Sequence, residues 1–162
     1  MLNEIDEKYL VAYFGRQPDY YLEMNQARLR GKKYQFNIGA FFCGVFWFLY
    51  RKLFKEALII VLLLFVLGIV EETIYSSLST SHEIQTAVFF LSTLVFGLIY
   101  GFVGNSIYLA KAEKVIAKVL SETKEEDLRI NILSKKGGTS WSPFIIILLL
   151  VILWVVVANT HI

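Results

Sequence analysis

The apolar residues of this chain are gathered into long blocks with almost no charge, and that clustering restricts the fold more than any other feature. Thr86 to Ala110 holds no charged residue, Pro143 to Ala158 holds none, and Ala57 to Val70 runs unbroken between Glu56 and Glu71. As a helix, Leu53 to Ile74 reaches about 33 Å, enough for a hydrocarbon layer of about 30 Å if Lys55 extends its stem toward the headgroups. A soluble domain of 162 residues would have trouble hiding a 56% hydrophobic content arranged like this. The expected fold is all-α: an integral membrane helical protein with three transmembrane helices at 53–74, 86–110 and 143–160.

Phe36 to Tyr50 is also free of charge, but its length as a helix is only about 22 Å, too short to cross. The basic residues decide how it is read. With three spans and a cytoplasmic N-terminus, all 16 Lys and Arg fall on the cytoplasmic side, none between Glu71 and Gln85 and none after Lys136. A fourth span would send Lys8, Arg16, Arg28, Arg30, Lys32 and Lys33 across the membrane, against the positive-inside tendency. Residues 36–52 are therefore expected to be an interfacial or re-entrant aromatic helix, with Trp47, Tyr50, Arg51 and Lys52 as its interfacial anchor. The organisation that follows is an N-terminal cytoplasmic helical arm (1–35) and a membrane domain (36–162), with the C-terminus outside.

In the arm, Pro18, Asp19, Arg28 and Arg30 are placed to start and finish a helix over 18–30, with Gly31 as its stop. Its Tyr20, Tyr21, Met24 and Ala27 share a face that can bury against the membrane surface or other cytoplasmic parts. Glu4, Asp6 and Glu7 are the opposite of a signal peptide's basic start, so no cleaved leader is expected. Residues 111–142 form a cytoplasmic helix and loop: Ala112, Val115, Ile116 and Val119 make an apolar side, and Lys135 to Ser140 reads as a flexible turn.

Asp19-Tyr20-Tyr21-Leu22, then Phe36-Asn37, Ala40-Phe41-Phe42, Gly44, Phe46-Trp47 and Leu49-Tyr50-Arg51-Lys52, resemble the core signature of a bacterial membrane-protein family, domain of unknown function 2628 (DUF2628). Gly104-Asn105, Tyr108 and Gly137-Gly138-Thr139-Ser140 extend the likeness, while Ile38 and Val45 stand where that pattern has Trp and Pro. The resemblance implies a bacterial inner-membrane location and brings no activity, substrate or cofactor.

The residues that bear chemistry are few. Gly97, Gly101 and Gly104 form a ridge along one helical face where another helix can approach closely, within the chain or from a second copy. Asn105, near the cytoplasmic end of that span, is placed to hydrogen-bond to a neighbouring helix or to the backbone of 36–50, and Asn37 to cap the helix that follows it. Glu71 and Glu72 end an apolar run with no intramembrane cation opposite. Cys43, the single cysteine, reads as apolar packing, and His82 and His161 stand apart from any zinc-type spacing. No catalytic, cofactor-binding or metal residue is expected. The chain is expected to be a non-enzymatic scaffold or membrane-organising protein, with an oligomeric small transporter or channel subunit as the alternative. Its expected partners are membrane lipids and a second copy or another membrane protein, not nucleic acid, since a net charge of +2 is slight and its basic residues set topology.

Overall fold

The computed structural model describes residues 5–32 and 34–160, and every regular element among them is a helix. His161, Lys33 and the acidic start at Glu4 lie outside the described residues. The order is α1 (Glu7–Phe14), α2 (Pro18–Leu29), α3 (Ile38–Cys43), α4 (Val45–Tyr50), α5 (Phe54–Leu78), α6 (His82–Glu122), α7 (Glu126–Lys136) and α8 (Ser142–Thr160).

Two of these, α5 and α6, are long and apolar enough to cross a membrane, and α8 is a shorter apolar helix. Outside the second half of α6, few of their residues are buried. In α5 only Ala57 is buried, in α6 no residue before Gly97 is buried, and no residue of α8 through Ala158 is buried. Phe65 is 68% exposed and Trp154 is 70% exposed, in helices that present apolar groups on every side.

The core lies at the other end. There α1, α2, the second half of α6 and α7 assemble a helical cap around Tyr13, Phe14, Tyr21, Tyr108, Ile116 and Leu133. Burial of such side chains contributes about 1.5–3 kcal/mol each, which is how short helices with little independent stability hold together.

The cap departs from the sequence reading in three places. The first is α1, where the arm was expected to hold one helix. Asp6 caps it by accepting from the Lys8 N–H at 3.2 Å, and Tyr9, Leu10, Tyr13 and Phe14 supply a buried stripe. Eight residues are too few for that stripe to stand out among the charges around it. The second is α6, which carries the 86–110 block straight into the amphipathic segment after Lys111 as one helix of 41 residues. Nothing in the junction breaks it, because neither glycine nor proline falls between Asn105 and Glu122. The third is Lys135 to Ser140, where the two lysines close α7 and the turn after them is hydrogen-bonded to the cap and the hairpin: the Gly138 N–H donates to the Tyr13 carbonyl at 2.7 Å and the Ser140 N–H to the Tyr50 carbonyl at 2.9 Å.

The aromatic block is a hairpin of two short helices. Asn37 caps α3, its Oδ1 accepting the Ala40 N–H at 2.8 Å, and Gly44 breaks α3 from α4 at φ +50°, a conformation costly for any residue with a Cβ. α3 lies on α6 and α4 on the start of α5. The hairpin thus wedges α5 and α6 apart, leaving a cleft of about 590 Å³ beyond its tip between Leu64, Gly68 and Glu71 on one side and Phe89, Ser92 and Phe96 on the other.

Candidate functional site

The glycine ridge is where the hairpin seats. A Cβ on Gly97 would lie 3.1 Å from the Phe41 carbonyl oxygen, one on Gly101 2.5 Å from Phe36 Cε2, and one on Gly104 3.0 Å from Ala40 Cβ. The ridge therefore receives a segment of the same chain, and the backbone contact is close enough for the Asn37 N–H to donate to the Gly101 carbonyl at 2.8 Å.

Beside the ridge, Asn37 Nδ2 donates to Asn105 Oδ1 at 2.6 Å. Asn105 Nδ2 donates in turn to the Tyr20 hydroxyl at 2.8 Å and the Gln35 carbonyl at 3.3 Å. This network joins α2, the hairpin and α6 at one buried point.

The four anchor residues differ in their surroundings. Trp47 is buried edge-on to Phe48, ring centroids 5.2 Å apart, and Tyr50 meets Trp141 at 5.4 Å. Lys52, at φ +58°, turns the chain from α4 into α5; its Nζ donates to the Lys135 carbonyl at 2.8 Å and its own carbonyl accepts from Lys111 Nζ at 2.6 Å. Arg51 is the surprise, because it is only 4% exposed.

Its guanidinium sits 4.5 Å from the centroid of Tyr21 and 5.4 Å from that of Tyr108, an aromatic bed that favours a cation over the ring faces. Its hydrogen bonds are weak by comparison: 3.3 Å to the Arg16 carbonyl and 3.5 Å to Gln17 Oε1, with Nε buried and unpaired. Among the described residues the ion pairs join Lys8 to Asp6 and Glu126, Arg28 to Glu113 and Lys118 to Glu122, and none includes Arg51. Burial raises the Tyr21 hydroxyl well above the ordinary tyrosine range, against the opposing pull of Arg51, so the bed is neutral where the cation rests.

Arg51 lines a cleft of about 430 Å³ with Gln17, Tyr20, Asn37 and Trp47. A second cleft of about 460 Å³ shares Gln17, Trp47 and Tyr50 with it and continues to Arg16, Phe46, Trp141 and Phe144. The two adjoin through these shared residues as one groove, with Arg51 in the first cleft and Arg16 beside the aromatic rings of the second. Cys43 lies in its wall and is exposed, contrary to its expected packing role, because α3 turns that side away from the ridge.

The groove and the asparagine network fall in or beside the segment a family comparison selects. The family described as a protein of unknown function, DUF2628, matches residues 16–114. The chain belongs to the DUF2628 family. No curated protein and no solved structure matches it. The DUF2628 segment contains the ridge, both asparagines, Arg16, Gln17 and Arg51, and it leaves α1, α7 and α8 outside. The sequence places Arg51 in the interfacial anchor with Trp47, Tyr50 and Lys52, and gives no sign of its burial. Its aromatic partners Tyr21 and Tyr108 lie 30 and 57 positions away by number, 51 − 21 and 108 − 51, so no local pattern announces the bed.

Elsewhere the sequence candidates stay apart. Glu71 accepts from the Ser92 hydroxyl at 3.5 Å beyond the hairpin tip, Glu72 is exposed, and His82 opens α6. Among the described residues no three His, Cys, Asp or Glu side chains converge in a way that could hold a metal ion.

Proposed function

We propose that this chain is a multi-pass bacterial inner-membrane protein in which α5, the first half of α6 and α8 cross the bilayer and the α3–α4 hairpin re-enters from the cytoplasmic side. The cap then works as a non-enzymatic scaffold that holds a rigid helical surface against the membrane for lipid and protein contacts. One observation carries this reading: large apolar side chains are exposed on all faces of α5 and α8, while the buried core is confined to the cap, the aromatic hairpin seated on it and the first turn of α5. Such helices need an apolar solvent on every side, and a bilayer supplies it while their backbone hydrogen bonds are met internally. The basic residues support the same orientation, since the segment from Glu71 to Gln85 and the chain beyond Lys136 contain none.

The test is membrane-impermeant thiol labelling of Glu23→Cys, Ser77→Cys and Thr160→Cys on a Cys43→Ala background. Intact cells should label the second and third positions and spare the first until permeabilised. Labelling of Glu23→Cys in intact cells would overturn the orientation, and recovery of the chain in the soluble fraction would overturn the membrane reading itself. For the scaffold role, mild-detergent purification should yield the chain with a partner in fixed stoichiometry; repeated recovery of the chain alone would count against it.

A further inference from the structure

The Arg51 groove has the chemistry of a lipid site, and we propose that it binds one anionic phospholipid, with the phosphate at Arg51 and Arg16 and an acyl chain along Phe46, Trp141 and Phe144. The inference rests on the membrane reading above and extends it from a solvent to a specific ligand.

Three features of the groove lead to this ligand class. First, its charge is of one sign: Arg16 and Arg51 line it, and among the described residues no Asp or Glu does. Second, Arg51 is only 4% exposed as a residue, and among the described residues its guanidinium makes no ion pair. Taking such a cation out of water is costly unless a counter-charge and good hydrogen bonds accompany it. The rings beneath Arg51 and its two long hydrogen bonds repay part of that cost, and a phosphate offers what is missing, since guanidinium and phosphate pair through parallel short bonds. Third, the polar end is continuous with an apolar one. From Gln17 the groove passes over Trp47 and Tyr50 to Phe46, Phe144 and Trp141, the last 60% exposed at the mouth where α8 begins. A free phosphate would use only the first half. A lipid uses both, and the rim of Trp and Tyr suits the headgroup level of a bilayer.

The measurement uses the full chain with Trp141→Phe and Trp154→Phe, so that Trp47 in the groove floor is the sole tryptophan. It is reconstituted into phosphatidylcholine vesicles containing either acyl-brominated phosphatidylglycerol or acyl-brominated phosphatidylcholine, and bromine quenching of Trp47 is followed against the brominated fraction. The anionic lipid should quench at about a tenfold lower fraction than the zwitterionic one, the ratio for one charge-assisted contact. Because Arg51 is also part of the core, the deciding variants are at the exposed rim: Arg16→Gln, and Gln17→Glu, which places a carboxylate beside the guanidinium. Each should bring the two lipids to within about twofold of each other. Equal quenching by both lipids in the parent chain, or a preference unchanged in both variants, overturns the proposal. Relief of quenching by inorganic phosphate, beyond that caused by chloride at equal ionic strength, would make the ligand a free anion and also overturn it. Failure of the membrane reading is separate: the chain would then float with neither kind of vesicle.

Discussion

Asn37 Nδ2 and Asn105 Oδ1 meet at 2.6 Å in a buried contact, and the geometry leaves the two amides one mutual orientation. Asn37 Oδ1 is occupied by the Ala40 N–H, so its amino group must face Asn105. Asn105 then offers its oxygen to Asn37 and its amino group to Tyr20 and Gln35. The pair holds the hairpin, α2 and α6 in register where the apolar helices meet the cap.

Asn105→Leu should lower stability by about 2–4 kcal/mol, since it strands the Asn37 amide and removes the donor to Tyr20 in a dry site. A thermal-melt cycle with Asn37→Ala in detergent should return a coupling of about 1–2 kcal/mol between the two positions. Strictly additive losses would mean that the amides act independently.

Gly101→Ala should destabilise by about 1–3 kcal/mol, because its methyl would lie 2.5 Å from Phe36 Cε2. Gly68→Ala, with nothing within 4 Å, is the matched control and should be neutral or slightly stabilising. Phe36→Leu in the same chain should recover part of the Gly101→Ala loss. Equal melting of the two alanine variants would remove the glycine ridge from the account of how the hairpin seats.

Gly137→Ala should loosen the cap more than any surface substitution, because a Cβ there would run into the Tyr13 carbonyl, where α1 meets the turn that follows α7. The Gly138 N–H to Tyr13 hydrogen bond would be lost with it. Limited proteolysis checks this: cleavage near residues 135–140 should be faster in the variant and absent from the parent under the same conditions.

Alkali should open the cap. Burial pushes the Tyr13 hydroxyl up to about 12, with the Glu56 carboxylate adding to the rise, from an ordinary value of 10.0. Burial also raises Tyr21, against the opposing pull of Arg51. A folded value above the unfolded one means this contribution is fully present below pH 10 and is lost as the pH climbs through about 12. Near-ultraviolet circular dichroism and tyrosinate absorbance should therefore change together in that window, and Tyr13→Phe should shift the transition to higher pH. A transition complete below pH 10 would contradict the assigned burial.

Much of the architecture is legible along the chain because its signal is local. The apolar blocks, the bracketing of α2 by Pro18 and Arg30, and the cap at Asn37 all depend on neighbours within a few positions. The α1 stripe is local too, but one turn of Tyr9, Leu10, Tyr13 and Phe14 cannot be told from scattered aromatics before its partners are known. Composition changes at Lys111 and so suggests a boundary there, yet helix geometry is indifferent to that change unless a breaker accompanies it.

The sequence by itself determined that the chain is helical, that two of its segments are long and apolar enough to cross a membrane, and that the stretches from Glu71 to Gln85 and beyond Lys136 carry no Lys or Arg, since residue type and spacing settle each of these. Tertiary structure alone decided that the glycine ridge is filled by the chain's own aromatic hairpin and that Gly137 lies under Tyr13. It also decided that Arg51 rests on rings from two other helices in a groove that, among the described residues, no carboxylate lines. These depend on which distant segments come together, and that is set by packing volume and the pairing of buried polar groups over the whole fold, quantities that no short window of sequence contains.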